Sequence, residues 1–229
     1  MMNPSRATWM ISSLTLISNH FTSIDLWGAK YINAPSSSFF IMEVFTKVEV
    51  RRRYAEIIEK IKQGVVFIHP SDTIYGLGGN ALDTNAVTKI RNLKHQSSQP
   101  FSVWVPSLAW VRQHCVINPE AERWLQKLPG PYTLVMKLKH ATAVAGSVTV
   151  GGTTLGLRFP DHWFGKIIAE VGLPIVTTSA NKTGQSFMTM LDNLDPEIQN
   201  GVEFMIYEGE KKSRPSTIIN LVEGTVKER

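Results

Sequence analysis

The stretch Val65–Gly79, VVFIHPSDTIYGLGG, decides how the chain is read. Its opening VVFIH is short, apolar and β-branched, which predicts a buried strand. The strand runs into Pro70, Ser71, Asp72, Thr73 and Tyr75, then into the glycine-punctuated Gly76 to Gly79. Pro, Ser, Asp and Gly are what turns use. Hydroxyls beyond the carboxyl end of a strand are also where open α/β sheets bind ligands. A plain turn needs no companions. A ligand site needs further polar groups at other strand ends, so the rest of the chain has to decide.

Helix-like and strand-like segments alternate around it. RRYAEIIEKIKQG sets Tyr54, Ile57, Ile58 and Ile61 on one apolar helical stripe, with Gly64 as the stop. DTNAVTKIRNLK predicts a helix with Asp83 or Thr84 as N-cap and Val87, Ile90 and Leu93 inward. SLAWVRQH starts a helix at the cap Ser107, and NPEAERWLQKL has Asn118 as cap and Pro119 in its first position. DHWFGKIIAEVG predicts a helix capped by Asp161 and closed by Gly172. MEVFTKVEV, FSVWV, YTLVMKLK, TLGLRF, LPIVTTS, VEFMIYEG and STIINLV predict strands. The alternation predicts an α/β (α+β) fold, a twisted open mixed sheet with helices packed around it.

Residues 42–229 read as one domain. Residues 1–41, with a Ser/Thr-broken apolar stretch and the break NAPSSSFF, are expected to be a disordered leader or no part of the natural chain. With 229 residues, 43% hydrophobic and 19% charged, the chain has the bulk of an ordinary globular protein. Its single cysteine, Cys115, excludes an internal disulfide framework and a cysteine-based zinc site, and fits a reducing, cytoplasmic setting. A net charge of +5 suits a polyanionic partner such as nucleotide or RNA. No apolar run approaches the roughly 20 residues that span a bilayer.

The sequence shows no phosphate-binding P-loop, no dinucleotide glycine fingerprint and no zinc-protease motif. Polar groups recur at strand ends instead. KHQSSQP is a cationic turn, and LPGPYTLV a rigid corner before a strand. GLRFPDH sets Arg158 inside an apolar strand. IVTTSANKTGQ leaves a strand through Ser179, Asn181 and Thr183, and KKSRPSTIINL enters one through Ser213, Arg214 and Ser216. Each has a bland reading: Ser/Asn/Gly turns are often only turns, and Lys94 at a helix end complements the helix dipole. Jointly they suit a ligand carrying phosphate and carboxylate, whose oxygens hydroxyls and backbone N–H groups hold while cations neutralise charge.

The ordered set SDTIYGLG, K-x-Q…P, PGPYTLV, GLRFPDH, TSAN-x-TG and R-P-STIINL resembles the YrdC-like family of L-threonylcarbamoyl-AMP synthases, in its short single-domain form. The resemblance implies the YrdC-like fold with one concave, positively charged face. It implies condensation of L-threonine, bicarbonate and ATP into threonylcarbamoyl-adenylate with release of pyrophosphate, a nucleotidyltransferase reaction. The product serves threonylcarbamoyl-adenosine modification of ANN-decoding tRNAs through downstream transfer enzymes. By the same resemblance Thr73, Arg158, Ser179 and Ser216 bind threonine. Lys94, Gln96, Asn181, Thr189 and Arg229 hold ATP, and Lys94, Ser179 and Asn181 serve the reaction. Magnesium is expected on the ATP phosphates, with no protein metal site.

Two positions depart from the family pattern. Gln96 stands where the family has an arginine, in a turn one residue short, which removes a charge near phosphate; His95 and Arg91 are the nearest cations to compensate. Trp104 stands where a histidine is common, which bears on the threonine end of the pocket. The alternative reading is a non-catalytic double-stranded-RNA or tRNA-binding module of the same fold. A carbamoyl-transfer domain of the hydrogenase-maturation type is a further rival, normally set in a longer chain.

Overall fold

The computed structural model describes residues 22–24, 30–32 and 42–228. Strands β1 (Thr22–Ile24) and β2 (Lys30–Ile32) form an antiparallel pair whose second member continues antiparallel onto β3 (Met42–Phe45). The rest of the 1–41 segment lies outside the described residues. The predicted strand MEVFTKVEV ends early. Thr46 and Glu49 form a reciprocal capping box, so the backbone turns at once into α1 (Lys47–Arg52). Helix α2 (Tyr54–Lys62) follows and buries Ile57, Ile58 and Ile61, while Tyr54 stays exposed.

Next comes β4 (Phe67–His69), then β5 (Gly76–Asn80), antiparallel to it. GLGGN is therefore a buried strand rather than part of the turn, and the loop is confined to Pro70–Tyr75. Helix α3 (Thr84–Leu93), capped by Asp83, leads to β6 (Ser102–Trp104). Helices α4 (Leu108–His114) and α5 (Pro119–Leu125) carry the predicted caps Ser107 and Asn118. Strand β7 (Tyr132–Lys137), the short α6 (Gly146–Thr149) and β8 (Thr154–Arg158) follow. Helix α7 (Gly165–Val171) starts four residues after the predicted cap Asp161, because residues 161–164 form a separate turn; Gly172 closes it in the left-handed conformation. Strand β9 (Ile175–Ser179), α8 (Pro196–Gly201), β10 (Phe204–Ile206), β11 (Thr217–Asn220) and β12 (Thr225–Lys227) complete the chain.

The strands form one mixed sheet in the order β1-β2-β3-β10-β4-β5-β9-β6-β8-β7-β11-β12. Its register separates two faces. One carries Ile68, Leu77, Val176, Val103, Leu157 and Leu134, all buried under α3, α4, α5, α6 and α8. The other carries Phe204, Phe67, Ile175 and Trp104 at one end, covered by α1, α2 and α7. Continuing along that second face, the inward positions become Gly76, Thr177, Ser179, Ser102, Gly156, Arg158 and Thr133. No helix covers this stretch among the described residues, and small side chains leave a hollow. Trp104 belongs to the apolar end, edge-on to Phe164 and His69, and does not reach the hollow.

The glycines of β5 answer to His69. Its ring is fully buried and stacked on Phe164 at 5.7 Å, and burial pulls its basicity down to about 3, so it is neutral. A Cβ on Gly76 would sit 2.6 Å from His69 Cε1, and one on Gly78 would sit 2.9 Å from His69 Cδ2 and 3.2 Å from Phe67 Cζ. The ring has no free side to move to. Gly78→Ala is expected to destabilise the domain by about 1–3 kcal/mol, the usual cost of overpacking. Urea denaturation would show this as a lower midpoint at unchanged slope; an unchanged midpoint would mean that the ring can shift.

Candidate active site

The hollow on the second sheet face is a cleft of about 320 Å³. Its described lining holds two charged residues, Lys94 and Arg158, and they sit at different strand and helix ends. Between them lie the hydroxyls of Ser102, Thr133, Thr177, Ser179, Thr183 and Ser216 and the amides of Gln96, Gln99 and Asn181.

Lys94 is placed by the way α3 ends. His95 adopts φ 50°; its N–H donates to Asn92 O and that of Gln96 to Arg91 O, both at 3.0 Å. This is the Schellman arrangement, with histidine in the left-handed position usually held by glycine. It turns Lys94 inward, where it is buried, and sends the following turn over the rim. The Lys94 ammonium donates to Ser179 O at 2.7 Å, to Asn181 O at 2.8 Å and to Asn181 Oδ1 at 3.3 Å. Ser179 Oγ also donates to Asn181 Oδ1, at 2.5 Å, and Asn181 Nδ2 donates to Gln185 O at 2.6 Å. The lysine thus ties the SAN turn to the end of α3. All its partners are neutral oxygens, and burial pulls its basicity down to about 8.

Gln96 does reach the cleft. Its Oε1 lies 3.2 Å from the Thr183 hydroxyl and its Nε2 donates to Gln99 O at 3.2 Å. Neither expected compensating cation helps. Arg91 is spent on carbonyls, donating to Ser147 O at 2.9 Å and Gln99 O at 3.0 Å, with its guanidinium over Phe101. His95 points away to Glu197 at 2.9 Å. Lys94 is therefore the one cation among the described lining residues at this end.

Arg158 ends β8 with its side chain 8% exposed. One terminal nitrogen donates to Asp72 Oδ1 at 2.7 Å and to Thr73 Oγ1 at 3.1 Å. Asp72 Oδ2 accepts from the backbone N–H of Asp161 at 3.3 Å. Ser71 Oγ accepts from Thr73 N at 3.2 Å and donates to Ile74 O at 2.8 Å. The loop Pro70–Tyr75 is thus both a turn and a part of the site: Ser71 folds it, and Asp72 and Thr73 hold the arginine. Ser216 and Thr133, both buried, share a 2.7 Å hydrogen bond beside it.

A segment without regular structure, 207–216, crosses from β10 to β11 and delivers Ser216. Tyr75 Oη donates to Gly209 O at 2.6 Å and accepts from Glu208 N at 3.0 Å, and Lys211 Nζ donates to Ser71 O at 2.8 Å. Glu208 binds His162 at 2.9 Å, Trp163 Nε1 at 2.6 Å and Lys211. Burial raises the basicity of this carboxylate, but those hydrogen bonds outweigh it and hold the group down at about 2. It stays charged.

Of the residues picked from the sequence, Lys94, Gln96, Arg158, Ser179, Asn181 and Ser216 line the cleft. Thr73 stands behind Arg158 rather than in the lining. Thr189 lies elsewhere: it bonds Asn193 through both its amide and its hydroxyl, in the turn before α8. Arg229 lies outside the described residues. Sequence reasoning gave no role to Asp72, Thr133, Ser102 or Phe187. Alternation counted back from Ser179 reaches Thr177 and from Arg158 reaches Gly156. Ser102 and Thr133 lie on other strands and join this face only through the sheet register, and Asp72 and Phe187 carry no local signal. Cys115 is buried and its thiol is pushed up to about 11, so it is inert. Among the described residues, no group of three or more His, Cys, Asp or Glu could hold a metal, and no helix is long and apolar enough to cross a membrane.

The Sua5/YciO/YrdC family model, described as "Telomere recombination", matches residues 59–228. A Methanocaldococcus jannaschii protein, provisionally named threonylcarbamoyl-AMP synthase, is 34% identical over 178 residues, covering 76% of this chain and 83% of that one. The Bacillus subtilis threonylcarbamoyl-AMP synthase is 31% identical over 159 residues, covering 68% of this chain and 46% of that protein. The crystal structure of P. abyssi Sua5 complexed with L-threonine is similar with a TM-score of 0.70 and 28% identity, over 80% of this chain and 55% of that one. The chain thus spans most of the Methanocaldococcus jannaschii relative and about half of the other two. On the family match and the 34% relative together, this chain belongs to the Sua5/YciO/YrdC family.

Proposed function

We propose that the protein synthesises L-threonylcarbamoyl-AMP from L-threonine, bicarbonate and ATP, releasing pyrophosphate, for the modification of tRNA. The observation that carries this reading is the convergence of residues from six separate motifs on one cleft with a cation at each end. The names of the relatives point the same way.

The chemistry needs no protein nucleophile, and the cleft offers no activated one. The amine of threonine adds to the carbon of bicarbonate-derived carbon dioxide and loses a proton, giving a carbamate. A carbamate oxygen then attacks the α-phosphorus of ATP, and the bond to the β-phosphate oxygen breaks, releasing pyrophosphate. What a protein supplies to such a step is alignment and charge. Lys94 takes the phosphate end, with its ammonium already held by the SAN turn. Ser179 and Asn181 fix that turn. Arg158, supported by Thr73, faces the carboxylate of threonine, with Ser216 and Thr133 beside it. Thr189 is not among the lining residues and has no part in this reading; Arg229 lies outside the described residues. None of the described lining residues is a carboxylate, so the cleft holds no set of ligands that fits magnesium. Magnesium belongs to the ATP phosphates as delivered, and no step here runs through it. The product is a reactive mixed anhydride, so transfer enzymes acting on tRNA are the natural recipients.

Pyrophosphate release is expected to require threonine and bicarbonate together with ATP; release that ignores threonine would overturn the proposal. At saturating threonine and bicarbonate, kcat/KM for ATP reports the enzyme form that ATP meets, already loaded with the other two substrates. It is expected to fall as pH rises through about 8, because burial lowers Lys94 from its ordinary value and the charge is lost above that point. Lys94→Arg would move that alkaline limb beyond pH ~10, since guanidinium does not titrate there. A wild-type profile flat up to that pH would remove Lys94 from the step. At position 96, a neutral amide bonds phosphate about half as strongly as a charged donor. Gln96→Arg is therefore expected to lower the KM for ATP about 5- to 30-fold, leaving that for threonine unchanged; no change in either would show that residue 96 does not meet phosphate.

A further inference from the structure

The two ends of the cleft differ electrically. Lys94 meets only neutral oxygens among the described residues, so its end carries a net positive charge. Arg158 is paired at 2.7 Å with Asp72, and both side chains are nearly buried, 8% and 11% exposed. Within that described pair two opposite charges offset each other. Both ends open into the same cleft of about 320 Å³. A polyphosphate entering it meets two cations, and cation number alone does not say which it should take.

We propose that Asp72 is the specificity determinant that reserves the Arg158 end for a zwitterionic amino acid and keeps phosphate at the Lys94 end. The inference rests on the threonine and ATP reading above. An α-amino acid brings a carboxylate to Arg158 and an amino group next to it, so the repulsion between its carboxylate and Asp72 is offset within the same molecule. A phosphate group brings up to two negative charges and no positive one. The attraction of Arg158 for it is then opposed by Asp72 with nothing to compensate. In a low-dielectric hollow such differences are not screened as they are in water. Asp72 is held where it can act: Oδ1 accepts from Arg158 and Oδ2 from the backbone of Asp161, so it cannot swing away when the ligand arrives. Of the described groups that bond the pair or its loop, the hydroxyls of Thr73, Ser71, Ser216 and Thr133 bring no charge, while Lys211 and Asp161 meet the loop through Ser71 O and a backbone N–H.

The test is displacement of radiolabelled L-threonine by inorganic triphosphate, measured by equilibrium dialysis without ATP. In the wild type, threonine is expected to stay bound at triphosphate concentrations that fill the Lys94 end. In Asp72→Asn, which keeps the side-chain volume, triphosphate should compete with threonine at least about tenfold more strongly. Asp72→Glu should restore most of the exclusion, and Arg158→Ala should weaken threonine binding without creating a triphosphate site. Triphosphate that displaces threonine equally from wild type and Asp72→Asn would overturn the inference. So would an Asp72→Asn variant, folded by circular dichroism, that loses threonine and gains no triphosphate affinity, since Asp72 would then only position Arg158. A wild type that binds no threonine at all would overturn this inference together with the substrate reading it rests on.

Discussion

A sheet face lined by Leu, Val and Ile has to be covered; a face lined by Gly, Ser and Thr can stay open. That difference governs this molecule. The face carrying Ile68, Leu77, Val103 and Val176 is roofed by helices along its length. The opposite face changes character partway across. From Phe67 and Trp104, under α2 and α7, it passes to Thr177, Ser179 and Thr133, where it forms the floor of the cleft. The packing that fills the first part fixes the second: His69, wedged against Phe164, demands glycine on the neighbouring strand, and that strand shapes the edge of the cleft.

The cleft then places two cations in unlike company. Burying a charge without compensation is costly, and the fold meets that cost in two ways. For Lys94 it provides backbone and amide oxygens, which hold the ammonium but leave its charge available. For Arg158 it provides a carboxylate, which neutralises the charge locally. A lysine with depressed basicity and no acidic partner among the described residues is suited to a ligand that supplies the missing negative charge. Phosphate is such a ligand. The contacts that build the fold at the ends of α3, β8 and β9 are thus the same few that the proposal assigns to sorting the substrates.

Much of this was legible in the residues. The caps Asp83, Ser107 and Asn118, the stripe of α2 and the cleft residues Lys94, Arg158, Ser179, Asn181 and Ser216 all stand where local pattern or family resemblance put them. The misses have physical reasons. Gly76–Asn80 looks like a turn because strand propensity cannot see that His69 excludes a side chain at Gly76 and Gly78. Asp161 looks like a cap, but its turn is organised by Glu208, some 47 positions away in sequence, through His162 and Trp163. Asp72 looks like a turn residue because its partner lies on a strand 86 residues further on. Pairings of that range leave no trace in a local window. Thr189 was placed by spacing alone, and spacing says nothing about which way a loop runs.

The central claim is that one cleft holds two substrates in a fixed order, nucleotide phosphate at Lys94 and threonine carboxylate at Arg158. The most direct measurement is a crystal structure of the protein with L-threonine and a non-hydrolysable ATP analogue bound together. The account predicts phosphate oxygens within hydrogen-bond distance of the Lys94 ammonium and the amino acid carboxylate on Arg158, with the Asp72 pair intact. Phosphate on Arg158, or a threonine bound at the Lys94 end, would contradict it.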